Sequence, residues 1–137
     1  MDSISCEINF QIVEKPEEPL TKMALSQVDG SLQIMNEGAL VFNENDICLA
    51  EFAVKLSNWL NKDYPSKPFI YESMDYEESY IIKVEVLDEE VSLSSPWMVE
   101  GISSPLTIKR NDLVRAAKLF LSKFEEELPN ISSIYEY

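Results

Sequence analysis

Positions 4–12 alternate without exception. Ile4, Cys6, Ile8, Phe10 and Ile12 fall on one side, and Ser5, Glu7, Asn9 and Gln11 on the other. A period of two is that of a half-buried β-strand. EKPEEP (14–19) ends it, because its two prolines have no N–H to give to a central ladder. In MALSQVDGSLQIM (23–35), Asp29-Gly30 stands between two apolar–polar segments and predicts a two-residue type I′ hairpin. NEG (36–38) predicts another turn, and ALVF (39–42) a short extended run.

The period changes in NENDICLAEFAVKLSNWLNK (43–62), where Leu49, Phe52, Ala53, Leu56, Trp59 and Leu60 recur at steps of three and four. This predicts a helix with one buried stripe, Trp59 included, and an Asn or Asp as its N-cap. DYPSKP (63–68) closes it. FIYES (69–73) and SYIIKVEVL (79–87) read as strands on either side of the acidic MDYEE, followed by shorter strands at 91–93 and 97–99. GISSP (101–105) is a loop and LTI (106–108) a brief extended piece. A final helix is predicted with Asn111 or Asp112 as cap and Leu113, Ala117, Phe120, Phe124 and Leu128 as stripe, ended by Pro129. Residues 129–137 form a tail.

The strand connections are too short for repeated crossover helices. The expected architecture is therefore a single α+β domain over 1–137: an antiparallel sheet of about six strands with two helices on one face. The other face is left to solvent or to a partner.

Composition narrows the chemistry. The chain has no histidine, which removes the commonest general base and metal ligand. Cys6 and Cys48 lie far apart within apolar patterns, as expected of reduced core thiols in a cytoplasmic protein. MDSISCEINF shows neither the basic nor the apolar part of a secretion signal, and no apolar run reaches the ~20 residues of a membrane span. With 25 acids against 11 bases, the net charge of −14 repels phosphate backbones and anionic membranes. It favours a basic protein partner.

The charge is patterned. Residues 71–100 carry nine acids and one base, Lys83, a net −8, whereas 109–123 carry five bases and one acid. Two readings compete. A charge run can simply be a solvated face. Alternatively, Glu72, Asp75, Glu77, Glu78, Asp88, Glu89 and Glu90 steer and pair with a cationic partner, while Tyr71, Tyr76, Tyr80 and Trp97 anchor it. For Trp97, core and interface stay equally open. DYEESY and LDEEVS lack the alternation and glycine of a calcium loop, so no metal or cofactor is expected. No nucleophile elbow, phosphate loop, Cys-x-x-Cys or zinc-binding His pair occurs. An enzyme would have to work by carboxylates alone.

From FIYESMDYEE through SSPWMVE to the terminal amphipathic helix, roughly residues 40–128, the chain resembles small acidic immunity proteins of bacterial polymorphic and contact-dependent toxin systems. The resemblance rests on length, acidity, element order, an aromatic-flanked acidic element and a later S-P-W. It implies a cytosolic non-enzyme, an antitoxin that binds a cognate basic toxin domain, often a nuclease, and blocks its active site or substrate channel. It carries over to the acidic–aromatic segment as the binding face. The alternatives are a self-associating or adaptor module, its basic final helix (Lys109, Arg110, Arg115, Lys118, Lys123) docking on an acidic sheet, and a carboxylate-dependent hydrolase.

Overall fold

The computed structural model describes residues 6–14, 28–72 and 80–128. The fold is α+β. Among the described residues, every strand pairing is antiparallel and seven strands divide into two sheets. The first sheet comprises β1 (Cys6–Glu14), β2 (Asp29–Asn36) and β3 (Ala39–Cys48), in that spatial order. The second comprises β4 (Phe69–Tyr71), β5 (Ile82–Leu87), β6 (Glu90–Ser94) and β7 (Leu106–Lys109), also in sequence order. Helix α1 (Leu49–Asn58) lies between the sheets in sequence and runs on into a π-helical turn, Trp59–Asp63. Helix α2 (Arg110–Glu127) follows β7 directly.

β1 follows its alternation: Cys6 and Ile8 are buried, while Phe10 and Ile12 pack partly buried against the same core. Asp29-Gly30, by contrast, is no turn. It begins β2, and Gly30 lies opposite Ile12 on one side and Ile47 on the other. A side chain at Gly30 would collide with the Gln11 carbonyl, so the glycine serves close strand approach there. The type I′ geometry occurs one turn later. Glu37 and Gly38 both have positive φ, 52° and 81°, and join β2 to β3 through a two-residue loop.

β3 is ten residues long, so NENDIC (43–48) is strand where the sequence predicted helix. Pairing with β2 continues to Cys48 opposite Asp29, and Gln33 Nε2 donates to Asn43 Oδ1 at 3.2 Å. Two β-bulges along this pairing disguise the period in the sequence. One of them leaves Val41 and Phe42 both buried although they are adjacent. The Val41 carbonyl there accepts the Val99 N–H at 2.9 Å, and Phe42 bridges to Met98. Residues 97–99, predicted as a strand, thus form a single bridge that stitches the two sheets together.

Both helices touch both sheets: α1 packs on β2, β3 and β4, and α2 on β1, β6 and β7. Edge-to-face aromatic contacts run through the shared core. Phe10 of β1 meets Phe120 at 5.3 Å between ring centroids, Phe120 meets Phe52 of α1 at 5.3 Å, and Phe52 meets Tyr71 of β4 at 5.4 Å. Helix α2 buries Leu113, Ala116, Ala117, Phe120 and Phe124, as its stripe predicts, but starts after Lys109 with no side-chain cap. Among the described residues, no helix is long and apolar enough to cross a membrane.

Candidate partner-binding surface

The acidic–aromatic run is continuous in sequence and divided in space. β4 and β5 pair with Tyr71 opposite Ile82, and the Ile81 N–H donates to the Tyr71 carbonyl at 2.8 Å. The chain therefore leaves the second sheet at Glu72 and returns at Tyr80, at one end of β5. The turn that holds Asp88, Glu89 and Glu90 lies at the other end. Five strand steps from Ile82 to Leu87 separate the two by about 17 Å.

At the first end, Glu72 is exposed and Tyr80 half-buried. Asp75, Tyr76, Glu77 and Glu78 lie outside the described residues. Trp97 comes to this same end because β6 runs against β5, placing Ser94 opposite Lys83. Buried Ser95 fixes the approach: its N–H donates to Ser104 Oγ at 3.1 Å, and its Oγ accepts the Trp97 N–H at 3.0 Å. Trp97 is half-buried and packs against the core, leaving part of it open. Lys55 reaches this end from α1, its Nζ donating to the Glu72 carbonyl at 3.4 Å.

Tyr71 does not belong to this surface. It is 1% exposed, stands edge-on to Phe52, and its hydroxyl donates to the Cys48 carbonyl at 3.4 Å. The expectation of a partner-facing anchor is corrected here. In FIY the period of two turns Ile70 outward and Phe69 and Tyr71 inward, a signal the sequence already carried.

At the second end the chain's own bases come beside the acidic turn. Asp88 and Glu89 form a two-residue loop, with Leu87 opposite Glu90 and Asp88 at φ 51°. Arg110 donates from Nη1 to the Asp88 carbonyl at 2.8 Å and from its backbone N–H to the Glu89 carbonyl at 2.9 Å. Its guanidinium also lies over the Tyr64 ring, 5.4 Å from the centroid. Glu90 stands opposite Lys109 across the ladder. Lys109 and Arg110, about twenty residues further on, are thus brought beside this turn, where Arg110 donates to backbone carbonyls and the carboxylates of Asp88, Glu89 and Glu90 stay exposed. Nearer the first end, on the outward face, Lys83 Nζ lies 3.5 Å from Glu85.

Burial pushes the Cys6 and Cys48 thiols up to about 12, so neither is a ready nucleophile near neutrality. Burial also raises Glu44. Among the described residues, no group of three or more Cys, Asp or Glu is placed to hold a metal ion.

Residues 8–130, from β1 to just beyond α2, match the family model described as a domain of unknown function, DUF7878. The chain belongs to that family. No curated protein and no solved structure matches it. The family match covers both ends of the second sheet, so the acidic–aromatic end and the Asp88 end are both parts of the DUF7878 domain.

Proposed function

We propose that this chain is a cytoplasmic, non-enzymatic immunity-type protein that binds and neutralises a basic toxin domain of the nuclease kind. One observation carries the reading. Glu72, Tyr80 and Trp97 share one end of the second sheet, whereas the Asp88 end is met by Arg110 and Lys109. At the second end two bases stand beside the exposed acids, whereas the first sets exposed Glu72 beside the partly open rings of Tyr80 and Trp97. There a net charge of −14 accelerates encounter with a cation-rich surface. The rings of Tyr80 and Trp97, with Tyr76, supply anchors, and Glu72, Asp75, Glu77 and Glu78 supply register. A nuclease domain built to hold a polyanion presents the matching charge. The test is titration of the purified chain against the basic domain encoded beside it. A saturable complex that abolishes nuclease activity is expected, and no association at low salt rejects the reading.

Self-association is the second reading. Lys118, Leu119 and Lys123 are exposed on α2, and Leu119 is 53% exposed. Sedimentation at low and high salt separates the two readings, because docking of basic helix on acidic sheet weakens as salt rises.

A further inference from the structure

Among the described residues, β1 is an outer strand of its sheet. Alternate N–H and C=O groups of such a strand point away from its single neighbour, toward whatever lies beside the sheet. What lies there is α2, running in the same direction. The Cys6 end lies by Asp112 and Arg115, Phe10 meets Phe120 and Phe124, and the Ile12 end lies by Glu126 and Glu127. Cys6 to Ile12 spans about 20 Å of strand, and Asp112 to Glu127 about 22 Å of helix, so the two match along their length.

A groove follows this seam. Near Ile8 it holds an apolar recess of about 180 Å³ bordered by Ala116, Leu119 and Phe120. It continues as a channel of about 520 Å³ toward Glu126 and Glu127. Five consecutive residues, Ile8 to Ile12, line that channel. Successive side chains of a strand point to opposite faces, so five in a row means that the backbone edge itself forms the wall. Outer strands are commonly guarded by charge or proline. INFQIV (8–13) has neither, and the bulge at Val13 comes only at its end.

We infer that this groove receives an extended peptide segment of a partner protein, added to the three-stranded sheet as a fourth strand along β1. The inference stands independently of the immunity reading, because it uses a different surface. Every strand pair among the described residues is antiparallel, and an incoming strand that follows suit runs from the Glu127 end to the Cys6 end. Its side chains are then specified. An apolar residue enters the recess beside Leu119, and a lysine or arginine about four residues earlier faces Glu126 and Glu127. Lys123, at the junction, offsets one of these two charges.

The probe is a phage-displayed library of random peptides panned against the full chain. Enriched peptides should share the basic-then-apolar order, and binding should slow hydrogen exchange at alternate amides between Ile8 and Ile12. Leu119→Glu, on an exposed position, should weaken them about tenfold, as should Glu126→Lys combined with Glu127→Lys. No enrichment over bare support, or enriched peptides that leave β1 exchange unchanged, overturns the proposal. So does a rise in peptide affinity when residues 129–137 are deleted, which would identify the chain's own end as the occupant.

Discussion

Gly30 of β2 lies against the Gln11 carbonyl of β1 with no space for a side-chain atom between them. The same added Cβ would stand 2.7 Å from Leu49 Cδ1. The Leu49 methyl could yield, but the Gln11 carbonyl belongs to the ladder. Gly30→Ala should therefore cost about 2–3 kcal/mol, within the range for overpacked cores. The urea midpoint reads it. Gly38→Ala is the control: its surroundings are empty, so only its positive φ is strained, and about 1 kcal/mol is expected.

Glu37 holds a left-handed conformation at φ 52° in the β2–β3 loop, where a non-glycine residue is normally Asn or Asp. Glu37→Asn should stabilise the protein by about 0.5–1 kcal/mol, because asparagine visits this region at lower cost. Thermal unfolding of the two proteins side by side checks it.

Both of these sites mark where local sequence was legible and where it was not. The alternation of Cys6, Ile8, Phe10 and Ile12 and the stripe of Leu113, Ala117, Phe120 and Phe124 survive intact, since each face meets one continuous core. The Asp29-Gly30 pair misleads because a glycine that permits a turn also permits a close strand. NENDIC misleads because β2 supplies the ladder and the bulges break the period, so tertiary pairing overrides the capping signals of Asn and Asp. The acidic run was visible as composition. Its division was not, because only the antiparallel ladder carries Glu72 and Asp88 to opposite ends and brings Lys109 and Arg110 beside one of them.

Tyr71 and Trp97 should separate cleanly on mutation. Tyr71 is buried against Phe52, so Tyr71→Ala should cost about 3–5 kcal/mol by loss of transfer energy and an unfilled cavity. Tyr71→Phe keeps the ring and loses the 3.4 Å hydrogen bond to the Cys48 carbonyl, for about 1 kcal/mol or less. The half-buried Trp97 should lose less on truncation than Tyr71. Denaturant titration of the three variants decides, and equal costs for Tyr71→Ala and Trp97→Ala would contradict the burial difference.

Stability should fall on the alkaline side. Burial raises both thiols from an ordinary 9.0 to about 12. The unfolded chain therefore releases these protons first as pH rises. Their contribution is complete below about pH 9 and is lost progressively toward pH 12, at no more than about 1.4 kcal/mol per pH unit for each thiol. Lysines and tyrosines titrate in the same window, so the comparison is with Cys6→Ala and Cys48→Ala. Each should show a shallower decline than the parent, and identical slopes would remove the thiols from the explanation.

The two ends of the second sheet give the sharpest test of a binding face. If a basic partner is drawn to the acidic–aromatic end, reversing Glu77 and Glu78 to lysine should lower its association rate about tenfold and flatten the dependence on salt. Reversing Asp88 and Glu89 should change that rate less, because Arg110 and Lys109 already place positive charge beside that turn. Stopped-flow mixing across a salt series measures both. Equal losses from the two pairs would mean that net charge alone governs encounter. A loss confined to the Asp88 pair would move the contact to the opposite end of β5, where Tyr64 and Arg110 would be its neighbours.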